Sequence, residues 1–188
     1  MGSIALLEAE NEAELRLFYQ KARKIIRRTY LATESQRDPE KDVLIQEKLH
    51  GQEYGLDVIN DLEGNYVTTF VKKKIAMRSG ETDGAITVDC PQLRQLGKQL
   101  AKGLCHVGNL DVDVFVNDRG AHVLELNPRF GGGYPFSHLA GANIPAAIVA
   151  WLRCIPADPT WFEISYNVTG YKGLTIIRGK EFTRVAEQ

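Results

Sequence analysis

The chain has 188 residues, enough for one domain with a real core or for two small lobes. Hydrophobic residues make up 44% and charged residues 25%, and a net charge of -1 excludes bulk attraction to nucleic acid or to an anionic membrane. No apolar run approaches the ~20 residues of a membrane span, and the start MGSIALLEAENE is acidic by Glu8 with no basic region before it, unlike a signal peptide.

In chain order, a short apolar piece, Ile4 to Leu7, precedes a capping-box pattern, Asn11 with Glu14 three residues on. Leu15, Phe18, Ala22 and Ile25 then recur at helical spacing, which predicts a helix to about Tyr30. Thr33 to Asp42 is polar, contains Pro39 and reads as a loop. Strands are predicted at Val43 to Gln46, Glu53 to Asn60 and Tyr66 to Met77, with a turn at Asp61 to Gly64. Glu81 to Gly84 reads as a polar loop and Ala85 to Val88 as a short extended piece. Pro91 opens a second helix whose Leu93, Leu96, Leu100 and Leu104 make one apolar stripe. Two strands follow, Leu110 to Val116 and Ala121 to Leu126, then a glycine-rich loop and a third helix, about Pro145 to Leu152. The tail, from Trp161 to Val185, contains extended candidates such as Leu174 to Ile177. Helix, antiparallel strands, helix, hairpin, helix is an α+β order, an antiparallel sheet packed with helices, in place of a βαβ alternation.

Cys90, Cys105 and Cys154 are scattered and odd in number, which fits buried thiols in a reduced, cytosolic protein better than a disulfide frame. His50, His106, His122 and His138 lack zinc-ligand spacing.

The most informative stretch is LDVDVFV-NDRG-AHVLELNPRFGGG, residues 110 to 133. A two-residue turn at Asp118-Arg119 would set Asp113 opposite Leu124. A three-residue turn ending in Gly120 would set it opposite Glu125. The second register gathers Asp111, Asp113, Glu125 and Asn127 on one face and Val112, Val114, Val116, Leu124 and Leu126 on the other, so it is favoured. His122 then falls on the apolar face. Two directly opposed carboxylates have Cβ atoms ~4.5–5.5 Å apart and repel unless a cation lies between them. Mg²⁺ takes such oxygen ligands and keeps positions open for phosphate and water. Asn127 adds an amide oxygen, Arg129 can address a phosphate, and Gly131 to Gly133 let a ligand approach backbone N–H groups. The bland alternative is a solvated polar strand face.

A second stretch, LIQEKLHGQEYGLDV at residues 44 to 58, resembles the hinge of an ATP-grasp ligase, and ELNPR resembles the same family's metal-binding strand. With the intervening KKKIAMRSGETDGAITV, the ordered set resembles the carbamoyl-phosphate synthase large-subunit branch, over roughly Ile4 to Leu152. The resemblance implies the C-terminal lobe and central hinge of an ATP-grasp domain spanning 1–188. By it, Glu47, Lys48 and Leu49 match the hinge that meets the adenine edge, and Glu53 the acid that binds the ribose. Asp113, Glu125 and Asn127 match the metal ligands, and Arg129 the phosphate or acyl-phosphate contact. Lys74 is a further nucleotide contact, and Arg78, in MRSGETDGA, a substrate contact. For Lys72 to Lys74 the competing reading is a solvated strand edge. Tyr134, Ser137 and His138 follow the glycine loop, within reach of a substrate.

The implied cofactors are ATP and Mg²⁺, with Mn²⁺ as its substitute. The implied activity is a carboxylate–amine ligase: ATP phosphorylates a small-molecule carboxylate and an amine displaces the phosphate. The start of the chain resembles the end of the family's glycine-rich loop, so the upstream lysine strand and the preceding domain are expected to be missing, supplied by an N-terminal part or a partner chain. Each lost charge-assisted contact weakens nucleotide binding by ~1.5–3 kcal/mol, so this chain alone is expected to be weak or inactive. A lobe without its neighbour exposes apolar surface, a route to a homodimer. Two rival readings are a non-catalytic ATP-grasp-like binding module and an unrelated metal-dependent hydrolase with Asp111 as its base.

Overall fold

The computed structural model describes residues 4–38, 41–78 and 80–174. The elements run α1 (Glu12–Ile26), α2 (Ala32–Ser35), β1 (Gln52–Asn60), β2 (Tyr66–Arg78), β3 (Glu81–Thr87), α3 (Pro91–Leu104), β4 (Gly108–Asn117), β5 (Gly120–Asn127), α4 (Tyr134–Leu139), α5 (Ile144–Leu152) and β6 (Thr169–Tyr171), with a 3-10 turn at Pro159–Phe162 before the last. Among the described residues the strands form one six-stranded sheet in the order β5-β4-β1-β2-β3-β6, antiparallel at every pairing. This is the expected α+β architecture. No helix among these residues is long and apolar enough to cross a membrane.

Strand alternation assigns each face. Leu56 and Val58 of β1, Val71 of β2, and Leu110, Val112 and Val114 of β4 turn to one side, where Leu93 and Ala101 of α3 cover them. That helix lies close because residue 97 is glycine: a Cβ there would sit 2.4 Å from Thr69 Oγ1. The opposite face is split. At one end Ile59 and Phe70 pack with Tyr134, Ala142 and Ile144 into a second apolar cluster. The other end is charged and holds the cleft.

The capping box forms, with the Asn11 side chain accepting from the Glu14 N–H at 2.9 Å and Glu14 Oε2 accepting from the Glu10 N–H. The helix stops at Ile26, short of Tyr30, because the Thr29 hydroxyl and N–H both turn back to the Ile26 carbonyl. The predicted loop from Thr33 contains α2, a single turn. Val43 to Gln46 is no strand: it has no ladder partner and Leu44 and Ile45 are exposed. Glu81 to Gly84, expected as a loop, opens β3 and pairs with the end of β2. In the tail, β6 pairs with β3; of the extended candidate Leu174 to Ile177, residues 175–177 fall outside the described residues. The three cysteines are free, yet Cys105 and Cys154 are exposed, not buried. Cys105 caps α3 in the left-handed region, φ 48°, a position that faces solvent.

Candidate nucleotide and metal site

The hairpin of β4 and β5 decides the site. Asn117 pairs with Gly120, so the turn has two residues, not three. A bulge at Leu124 then shifts the register by one, and Asp113 still faces Glu125, with Asp111 facing Asn127. The opposition is as expected; the device that makes it is different. Below the bulge the parity of β5 is reversed, so His122 pairs with Phe115 on the side of Asp113. It does not lie on the apolar face.

The register extends this polar face across the sheet. Asp111 pairs with Asp57 of β1, and Asp113 with Gly55, which pairs in turn with Lys72 of β2. Gly55 leaves room for the stems of Lys72 and Lys74, whose Cε atoms come within 3.6 Å of where a Cβ would stand. Lys74 is 9% exposed and bridges Glu53 Oε1 at 2.6 Å and Asp113 Oδ1 at 2.7 Å. Burial pulls the Lys74 ammonium down, but Asp113 and Glu53 outweigh it and hold it above the usual range. Lys72 is 1% exposed and ion-pairs with Asp57. The run Lys72 to Lys74 is therefore no solvated edge: its alternate members are buried in the charged face.

Asp111 sits among like charges. Burial, then Asp57 and Asp113, push its carboxyl up to about 6, against the opposing pull of Lys72 and Arg129. Arg129 Nη1 reaches Asp111 Oδ2 at 3.5 Å, and the Arg129 carbonyl accepts from Asn109 Nδ2 at 3.0 Å. The glycine loop closes over this carboxylate. A Cβ at Gly131 would fall 2.1 Å from Asp111 Cγ, so no other residue fits there without displacing it. Asp111, Asp113, Glu125, Asn127, Arg129, Lys72 and Lys74 line one cleft of about 170 Å³ with Gly132 and Gly133.

The donor set is all oxygen and suits a hard divalent cation. Opposed carboxylates and a carboxyl raised by its neighbours are what such a cation relieves. Among the described residues, however, no three His, Cys, Asp or Glu side chains already converge on one point. Asp113 is engaged by Lys74, while Glu125 is exposed. The residues fit a metal by type and register, with Lys74 in competition for Asp113.

The hinge positions lie apart from the cleft lining. Glu47 pairs with Arg119 of the hairpin tip at 2.8 Å, whose hydrogen bond and charge hold its carboxyl below the usual range. Lys48 pairs with Glu8. Leu49 is half-buried, and the His50 carbonyl accepts from Asn117 Nδ2 at 3.0 Å. Glu53 connects this end to the cleft through Lys74. Arg78 turns to Asp83 at 2.6 Å and does not line the cleft. Tyr134 is buried and accepts from the Ile144 N–H, and His138 Nδ1 contacts the Ala142 carbonyl at 2.7 Å, so both hold the chain together. Sequence reasoning weighed Lys72 only within the lysine run and passed over Asp57. The signal was present: a lone carboxylate inside the apolar strand YGLDVIN calls for a cation or hydrogen-bond donors beside it.

Residues 39–171, more than two thirds of the chain, match the pattern of a family described as ATP-grasp in the biosynthetic pathway with Ter operon. The biotin carboxylase domain of Hydrogenobacter thermophilus 2-oxoglutarate carboxylase, a dimer in complex with MgADP, ADP and bicarbonate, has a similar structure. Its TM-score is 0.67 at 17% identity, covering 90% of this chain and 38% of that one. Campylobacter jejuni biotin carboxylase, in a β-γ-ATP complex, gives 0.65 at 15% identity, covering 88% and 37%. The ADP complex of the N5-carboxyaminoimidazole ribonucleotide synthetase purK gives 0.50 at 21%, covering 65% and 34%. The chain thus spans less than two fifths of the length of these structures. At such identities the likeness is one of fold, and it is the fold in which the opposed carboxylates and the glycine loop are found here. On the pattern that covers most of its length, the chain belongs to the ATP-grasp family described by that Ter-operon pathway.

Proposed function

We propose that this chain is the ATP- and Mg²⁺-binding part of an ATP-dependent carboxylate–amine ligase of the carbamoyl-phosphate synthase large-subunit type. The observation that carries the reading is the single cleft in which Asp111, Asp113, Glu125 and Asn127 face Lys74, Arg129 and the glycine loop. The ADP and Mg complexes of proteins with this fold support it.

Asp113, Glu125 and Asn127 would hold the metal, which when bound would supply charge neutralisation for the nucleotide phosphates. Lys74 releases Asp113 and turns its ammonium to a phosphate oxygen, a move within reach of a four-carbon stem. Arg129, exposed and held by its backbone carbonyl, stabilises charge on the transferred phosphoryl group and on the acyl phosphate. Glu53 accepts from the ribose hydroxyls, and the backbone of Glu47 to Leu49 reads the adenine edge. Arg78 contacts the substrate carboxylate once it leaves Asp83. The amine then displaces phosphate. The rest of the phosphate grip comes from an N-terminal part or a partner chain.

Calorimetric titration with ADP, with and without Mg²⁺, tests this. Magnesium-dependent binding that Glu125→Ala abolishes supports the reading. No binding at millimolar ADP by a folded chain rejects it for this polypeptide.

A further inference from the structure

Under the cleft, with Lys72 in its lining, lies a group of side chains that the proposed chemistry does not use. Asp57, Lys72 and Ser137 are 0%, 1% and 0% exposed. Lys72 Nζ pairs with Asp57 Oδ2 and donates to Ser137 Oγ at 3.2 Å, and the Ser137 hydroxyl donates to the same Asp57 oxygen at 2.5 Å. The closed triangle joins three elements: β1, β2 and α4. The two strands are already joined by their ladder. The helix is not, so the triangle is its polar tie to the charged half of the sheet.

The glycine loop is caught between this triangle and Asp111 of β4. A Cβ at Gly133 would stand 3.4 Å from Lys72 Cε, so the lysine stem runs directly beneath the loop's end. At its start, Gly131 rests on the Asp111 carboxyl. Asp111 is in turn the cross-strand neighbour of Asp57. Moving Ser137 would move Gly133, and with it the lid over the carboxylates.

Packing alone does not explain a buried charge pair here. Apolar groups of similar volume often serve stability as well or better. The triangle also leaves Asp57 Oδ1 buried without a partner, an unfavourable arrangement in a low-dielectric interior. What an ion pair adds over an apolar filler is direction: it accepts one geometry. We propose that Asp57, Lys72 and Ser137 form a latch that fixes the Gly131–Gly133 loop over the metal-binding face. They are positioning residues for that site, and only the binding readout below rests on the proposed nucleotide reading.

Two readouts on the full chain test the latch. Amide hydrogen exchange is followed without ligand, and Mn²⁺ with ADP is titrated by its paramagnetic resonance signal. Ser137→Ala should speed exchange across residues 131–139 at least tenfold, leave β1 and β4 unchanged, and weaken Mn²⁺ binding about tenfold. Ser137→Thr should restore both. The double variant Asp57→Leu with Lys72→Met should melt no lower than the wild type, yet show the same loose loop and weak binding. Loop exchange in Ser137→Ala within twofold of wild type would overturn the latch. So would wild-type Mn²⁺ binding by the double variant, which would make the triangle a filler. If the wild-type chain itself takes up no Mn²⁺ with ADP, the nucleotide reading fails, and loop exchange alone upholds or overturns the latch.

Discussion

Asp111→Asn should make the metal-free chain more stable at neutral pH. Asp111 faces Asp57 across the ladder, stands two residues from Asp113, and keeps only 13% of its side chain exposed. Burial and these neighbours push its carboxyl from the ordinary 3.8 up to about 6. An acid shifted upward destabilises the folded chain only where it is charged. The penalty is absent below about pH 4, grows as pH rises to about 6, and is constant above that. A shift of about two units corresponds to about 3 kcal/mol at full ionisation. Urea midpoints for both proteins between pH 4.5 and 7.5 measure it. The advantage of the variant should grow by about 2 kcal/mol across that range, most of it below pH 6. Asparagine keeps the shape under Gly131, so packing changes little. Saturating Mg²⁺ should then stabilise the wild type more than the variant, since a ligand that binds only the folded chain adds to its stability. A difference that stays flat with pH would refute the account of Asp111 as a carboxylate held among like charges.

Gly131→Ala should remove metal binding and lower stability by roughly 1–3 kcal/mol, because the new methyl would stand 2.1 Å from the Asp111 carboxyl; Mn²⁺ titration and urea unfolding measure the two effects. Gly97→Ala should also destabilise by about 1–3 kcal/mol in urea unfolding, against the gain of roughly 1 kcal/mol expected of alanine in a helix, since Thr69 lies 2.4 Å from the added atom. Its effect on Mn²⁺ binding should be absent, because that contact lies on the far face of the sheet.

The hairpin shows how far pattern carries. Alternation of polar and apolar residues in LDVDVFV and AHVLELN was enough to set Asp113 against Glu125. It could not choose how the register was reached. A three-residue turn, or a two-residue turn with one bulged residue, both displace the pairing by one, and the face of His122 depends on which is used. The lysine run was harder. Three consecutive lysines on a strand point to alternate faces, and composition alone cannot say which face is buried. That needed the neighbours of β2, since Lys72 is central only because β3 and β6 extend the sheet beyond it. Val43 to Gln46 failed for the converse reason. Its residues suit a strand, but a strand exists only beside a partner, and the segment that follows is held instead at Glu47 and His50 by Arg119 and Asn117 of the hairpin.

The charged face contains its own counter-ions. Asp57 is matched by Lys72, and Glu53 and Asp113 share Lys74. Among the described residues Asp111 and Glu125 are left, with only a distant guanidinium for the first and an exposed position for the second. A sheet built only for stability would not set these charges in register, since like charges directly opposite are unfavourable. With one lysine shared between two acids, a divalent cation entering between Asp113 and Glu125 would free the Lys74 ammonium for an anion. Metal and phosphate would then bind better together than either does alone, because each relieves the charge that the other leaves. On that ground Lys74→Met should reduce the dependence of ADP binding on Mg²⁺ while leaving binding of the metal by itself no weaker, since the ammonium no longer competes for Asp113. A variant that binds bare Mg²⁺ less well than wild type, with the nucleotide response unchanged, would show that Lys74 only holds the fold.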